Sequence, residues 1–157
     1  MKIVKVGMNA PLFSMKDPNN KDVSLSDLLK DGWVLLTFYP GDFTPVCTMQ
    51  WCEYRDHFEE VQPFGVQVIG ISSDSPQSHR KFIQQKKLPF VLLSDPGHLV
   101  AKMYGMKDLF GMSKRGLVLI DPSGIIQHVT VEVVSLFYRP YHKVIEDLQK
   151  IIQTPAR

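Results

Sequence analysis

Residues 38–56 read FYPGDFTPVCTMQWCEYRD and hold both cysteines of the chain, Cys47 and Cys52. A cysteine does chemistry as the thiolate, which is the nucleophile. An ordinary thiol pKa of about 8.5 leaves only a few per cent ionised at neutral pH, so a reactive cysteine needs surroundings that favour negative charge. The sequence offers Cys47 such surroundings. An apolar run, Val34 to Tyr39, reads as a strand and runs into Pro40; the loop Gly41-Asp42-Phe43-Thr44-Pro45 follows, and a helix is predicted from about Val46. Cys47 then falls in the first helical turn, where unpaired amide N–H groups and the positive end of the dipole favour an anion. Thr44, three residues upstream, can place its hydroxyl beside the sulfur or beside whatever the sulfur attacks. Pro40 and Pro45 stiffen the loop. A free cysteine is ordinarily a small buried hydrophobe, but the strand–loop–helix setting argues against that for Cys47.

The flanking elements must hold this stretch in place. Residues 12–15 and 21–23 surround the turn cluster Asp17-Pro18-Asn19-Asn20 and predict a hairpin. Ser24 with Asp27 opens a short helix that ends before Gly32. The helix from Val46 is predicted to reach Val61, with Met49, Cys52, Phe58 and Val61 on its apolar side; Pro63 and Gly65 stop it. Residues 66–72 form a second apolar strand. Ser75-Pro76 starts a helix to about Lys87, and residues 90–93 a short strand. Asp95-Pro96 predicts a helix to Gly105; 116–120 and 125–131 read as an antiparallel pair. Pro140 opens a last helix with Val144, Ile145, Leu148, Ile151 and Ile152 on its apolar face. Strands alternating with helices predict an α/β chain with a mixed sheet.

Length and charge narrow the function. At 157 residues the chain suits one domain over residues 1–157. Eighteen basic against sixteen acidic residues give no clustered basic face, so nucleic acid is not an expected partner. No apolar run approaches the ~20 residues of a membrane span, and residues 1–7 do not read as a signal peptide. A cytoplasmic location is the expectation. In that compartment two cysteines are more often catalytic or metal-binding than a structural bridge. His57 and His79 do not complete a zinc spacing with the cysteines, and no metal or cofactor is expected. Trp33 and Trp51 are read as packing residues, and Asp42 and Glu53 as solvent-facing, since a negative neighbour would raise a thiol pKa.

The spacing Pro40-x-x-x-Thr44-x-x-Cys47, with Cys52 five residues on, resembles the active-site motif of the peroxiredoxins, in the Q-type (bacterioferritin-comigratory) branch. Val68-Ile69-Gly70-Ile71-Ser72, Leu88-Pro89-Phe90, Leu93-Ser94-Asp95 and Arg115 leading into Leu119-Ile120-Asp121 match in order, so the resemblance covers roughly residues 11–151. It implies a thioredoxin-like fold: a central mixed β-sheet flanked by helices, with an N-terminal β-hairpin addition. It implies a peroxidase in which Cys47 attacks the peroxide and becomes a sulfenic acid. Thr44 would hydrogen-bond the sulfur and a peroxide oxygen, and Pro40 would shield the thiolate from one side. Arg115, with Lys114 as its rival, would stabilise the thiolate and the leaving oxygen. Cys52 would be the resolving cysteine, closing an intramolecular disulfide that thioredoxin or a similar dithiol reduces. A monomer or weak homodimer is expected.

Two other readings remain open on the sequence. A thioredoxin-fold dithiol–disulfide oxidoreductase would carry Cys-x-x-Cys, whereas four residues intervene here. A catalytically idle chaperone or binding module would not depend on Cys47. The spacing has one further consequence. Five residues of intact helix separate two Cα atoms by about 8.6 Å and turn the side chains to different faces. A disulfide needs Cα atoms within about 7 Å. If Cys47 and Cys52 bond, the helix from about Val46 to Cys52 must unwind.

Overall fold

The structure, a computed structural model, describes residues 2–132 and 137–152. Strands β1 (Ser14–Lys16) and β2 (Asp22–Ser24) form the expected hairpin, with Met15 opposite Val23. Its turn is held by Asp17 Oδ1, which accepts from the amides of Asn19 and Lys21 at 2.8 and 2.9 Å. Helix α1 (Leu25–Lys30) starts where Ser24 Oγ accepts from the Asp27 amide. Strand β3 (Trp33–Phe38) leads into α2 (Pro45–Asp56), the short α3 (Phe58–Val61) and a 3₁₀ turn, Gln62–Phe64. After β4 (Val66–Ser72), helix α4 (Pro76–Lys86) opens at the predicted Ser75-Pro76 cap. Strand β5 (Val91–Ser94), α5 (Leu99–Met103), β6 (Arg115–Ile120), β7 (Ile126–Glu132) and α6 (Tyr141–Ile152) complete the order.

The strands make one seven-stranded mixed sheet in the order β2-β1-β5-β4-β3-β6-β7. β3, β4 and β5 run parallel, joined by helical crossovers; β6 runs antiparallel to β3, and β7 to β6. The hairpin attaches to the edge through Lys16 opposite Ser94. Side chains alternate across a strand, so β3 feeds two cores. Val34, Leu36 and Phe38 pack with Val118, Val100 and Tyr104 on one face. Leu35 and Tyr39 pack with Leu117, Trp51, Phe82 and Leu148 on the other. With both faces covered, central strands read as continuous apolar runs. Trp51 lies across β4 because position 70 is glycine: a Cβ there would stand 2.6 Å from the Trp51 ring. No helix among the described residues is long and apolar enough to cross a membrane.

Three expectations are corrected. The helix after Pro45 does not run unbroken to Val61, because His57 leaves helical geometry (φ −117°, ψ 16°) as its ring stacks on Tyr141, 4.3 Å between centroids. Its buried side is not Met49 and Cys52 but Cys47, Gln50, Trp51 and Tyr54, a stripe at i, i+3, i+4 and i+7; Met49 is 61% exposed. A polar residue, Gln50, sits in that stripe, which is why apolar periodicity placed the face wrongly. The helix expected from Asp95-Pro96 is instead a 3₁₀ turn, Pro96–His98, broken at Gly97 (φ 73°) and His98 (φ 57°). Asp95 instead caps α5, its carboxylate accepting from the amides of Val100 and Ala101, both at 2.9 Å.

Candidate active site

Cys47 is fully buried in the first turn of α2, under the C-terminal end of β3. Arg115, the first residue of β6 and 3% exposed, directs its side chain to the same face of the sheet. Its Nη2 donates to Cys47 Sγ at 3.1 Å, and its Nη1 donates to Gln50 Oε1 at 2.7 Å. Lys114, the rival basic residue, is half-buried and one position away, so strand alternation turns it to the other face; its amide donates to the Met106 carbonyl.

The other expected residues are placed less directly. Thr44 is the N-cap residue of α2, with extended geometry and no side-chain capping bond. Thr44 is exposed, and its hydroxyl donates to the Gly41 carbonyl at 3.0 Å. Pro40 is half-buried and lines a cavity of about 360 Å³ with Ile3, Met112, Lys114, Val131 and Glu132. Cys52 is half-buried one and a half turns along the same helix, and both thiols are free.

Sequence reasoning missed two features. The first is Gln50, 1% exposed, which anchors the guanidinium. Its i+3 position from Cys47 on a helix is the signal that could have found it. The second is Asp42, expected to face solvent; its side chain is fully buried. Asp42 Oδ1 accepts from the Tyr39 hydroxyl at 2.6 Å, and Oδ2 accepts from Ser78 Oγ at 2.9 Å and faces His79 Nδ1 at 2.7 Å. His79 Nε2 lies 3.2 Å from the Leu93 carbonyl, an acceptor. The Asp42 amide donates to Asp74 Oδ2 at 2.8 Å, and Ser72 Oγ donates to the same oxygen at 2.6 Å. Burial, with Asp42 beside it, holds the Tyr39 phenol well above its ordinary range, so it stays a donor. The loop before Cys47 is therefore fixed to β3, β4 and α4 from inside. Asp42, Asp74 and His79 bring one donor atom each within 4.8 Å of one another, but those atoms are engaged with each other and with Tyr39, Ser72 and Ser78. Glu53, also expected in solvent, is half-buried, and its Oε2 accepts from the Tyr141 amide at 3.4 Å.

A buried thiol at a helix start, touched by a buried guanidinium, is one of two facts that bear on family. The other is similarity. Residues 6–129 match the model of the AhpC/TSA family. The chain belongs to the AhpC/TSA family. It is 44% identical over 130 residues to the chloroplastic peroxiredoxin Q of Sedum lineare, covering 82% of this chain and 69% of that protein. With the chloroplastic peroxiredoxin Q of Arabidopsis thaliana the identity is 45% over 126 residues, covering 79% and 58%. The chain thus spans about three-fifths to two-thirds of these relatives' length. Among solved structures, peroxidoxin BcpB from Mycobacterium tuberculosis superposes with a TM-score of 0.84 at 32% identity, covering 94% of this chain and 97% of that one. The thioredoxin-like fold of these peroxiredoxins is the fold described above.

Removing the Asp42 carboxylate would strand His79, Tyr39 and Ser78 in the interior. Asp42→Ala should lower unfolding free energy by about 3–5 kcal/mol, the cost of leaving several buried polar groups without their partner. Urea denaturation measures it; a loss under about 1 kcal/mol would place these bonds among weakly coupled surface contacts.

Proposed function

We propose that this chain is a thiol-dependent peroxidase that reduces hydrogen peroxide and organic hydroperoxides through Cys47 and Cys52. The observation that carries the reading is the 3.1 Å contact between the Arg115 guanidinium and Cys47 Sγ, both buried. Arginine stays charged in proteins, and a positive group fixed at that distance stabilises negative charge on the sulfur. The thiolate attacks the terminal peroxide oxygen. The S–O bond forms, the O–O bond breaks, and the second oxygen leaves with a proton as water or an alcohol; Cys47 becomes a sulfenic acid. Charge moves from sulfur to the leaving oxygen, within reach of the same guanidinium, which is preorganised because Gln50 holds its other nitrogen. The Thr44 hydroxyl gives its hydrogen to Gly41, so its lone pairs are free to accept from a peroxide O–H. Pro40 screens the sulfur from one side and offers no N–H of its own.

Resolution follows from Cys52. Its thiolate attacks the sulfenic sulfur, the S–O bond breaks, and the oxygen leaves as water, giving the Cys47–Cys52 disulfide. A dithiol such as thioredoxin supplies the two electrons that restore both thiols. The location we assign is the cytoplasm, a compartment where such dithiols are kept reduced. The chain carries the whole cycle on one helix, which fits a monomer or weak homodimer. Both cysteines lie in one continuous helix in the reduced form, so the start of α2 must unwind before the bond can close.

Three measurements test this reading. Cys47→Ser should abolish peroxide consumption; Cys52→Ser should complete one turnover, stop at the sulfenic acid and fail to cycle on thioredoxin. Normal cycling by Cys52→Ser would remove its resolving role. Arg115→Ala should slow Cys47 oxidation in stopped flow by roughly two to three powers of ten, the effect of losing one positioned charge-stabilising donor. Arg115→Lys should recover part of that, since the planar fork is lost; wild-type speed in Arg115→Ala would sink the electrostatic role. Hydrogen exchange should show amides from Gln50 to Tyr54 losing protection in the disulfide form. The acceptors of the last two, the Met49 and Gln50 carbonyls, lie in the unwound stretch. Equal protection in both forms, with the disulfide confirmed by mass spectrometry, would rule out unwinding.

A further inference from the structure

The two halves of α2 are secured very differently. At its start, Thr44 makes no side-chain cap, no acidic residue lies in the first turn, and Met49 stands in solvent. Arg115 reaches this half through Cys47 and Gln50, and its bond to Cys47 requires the sulfur to stay in place. Beyond Cys52 the helix is anchored to two other elements. Tyr54, 5% exposed, donates its hydroxyl to the Arg139 carbonyl at 2.7 Å. Arg139 is itself fixed by Asp147 on α6, with Nε and Nη2 donating at 2.6 and 2.8 Å. The Tyr141 amide meets Glu53 and its hydroxyl donates to Glu60. On the other flank, Arg55 Nη1 donates at 2.6 Å to the carbonyl of Lys86, the last residue of α4.

We propose that Tyr54, through the Arg139 carbonyl, is a positioning residue for disulfide formation: it pins α2 from Glu53 onward, so that Cys47 travels to a stationary Cys52. This rests on the resolving role given to Cys52 above. Tyr54 follows Cys52 by two residues and is the buried end of the stripe Cys47, Gln50, Trp51, Tyr54. Unwinding that begins at Pro45 must break the Gln50–Arg115 bond, and past Cys52 it meets the tethers at Glu53, Tyr54 and Arg55. A stationary target keeps the effective concentration of one sulfur near the other high. A target that drifts leaves the sulfenic acid exposed to a second peroxide, which oxidises it to the sulfinic acid and is reduced to water or alcohol. The partition between disulfide and sulfinic acid therefore reads how firmly Cys52 is held.

Tyr54→Phe removes the hydroxyl and keeps the ring. It should shift the disulfide-to-sulfinic ratio at fixed peroxide roughly fivefold toward sulfinic acid, the weight of one net hydrogen bond. A ratio equal to wild type, by mass spectrometry, overturns the proposal; a general loss of packing would instead lower stability without favouring one product. The second measurement needs no variant at position 54. The chain has five tyrosines, so in protein labelled at the tyrosine ζ-carbon, Phe substitutions at the other four assign Tyr54 by elimination. Its signal in the reduced form is compared with that in a disulfide form made with diamide. An unchanged resonance supports the anchor, and movement to the position of a solvent-exposed tyrosine overturns it. Because diamide makes the disulfide without peroxide, this result stands even if peroxide leaves both thiols untouched, the outcome that would defeat the peroxidase reading instead.

Discussion

A guanidinium buried beside a thiol governs this structure. An arginine cannot shed its charge in the interior, and a buried charge is tolerated only when it is paired and hydrogen-bonded. Arg115 meets that demand with the Gln50 side-chain oxygen and the Cys47 sulfur, both from one face of α2. This fixes how α2 lies on the sheet: residues 47 and 50 must face the first residue of β6. The same constraint explains a polar residue in an otherwise apolar stripe. A hydrophobe at position 50 would bury as well but would leave a guanidinium nitrogen without that acceptor, and unmade bonds to buried charged groups are the costly ones.

Around that contact, rigid and yielding parts alternate along the chain. The loop at 40–44 is locked from below by Asp42, with His79, Ser78 and Tyr39 converging on its carboxylate and Asp74 taking its amide. The end of α2 is tied to Arg139, Tyr141 and Lys86. The segment between these anchors carries Cys47, and its helix start is capped by neither a side chain nor an acidic first turn. Its buried side chains are Cys47, Gln50 and Trp51. Trp51 is fully buried between Tyr39, Tyr54 and Phe90 and over Gly70.

The sequence by itself determined most of the elements and which cysteine stands at a helix start. Caps at Ser24 and Ser75, the proline after Ser75, and apolar runs at 34–39 and 66–72 act within a few residues, and local chemistry of that kind is legible without a fold. Cys47 was legible for the same reason: a strand, a proline-bounded loop and a helix start are neighbours in the chain. The incompatibility of an intact helix with a Cys47–Cys52 bond also follows from spacing alone. The tertiary structure decided what depends on residues distant in the chain. It chose Arg115 over Lys114, 65 residues from Gln50, through the alternation of a strand whose phase is fixed by the cores on either face. It turned Asp42 inward because a histidine 37 residues away meets it in the interior, where a sequence reading of a loop aspartate sees only a polar residue beside a thiol. It broke the long helix at His57 and placed its buried face through Gln50, because side-chain partners from β6 and α6 outweigh an apolar pattern too weak to set the rotation of the helix.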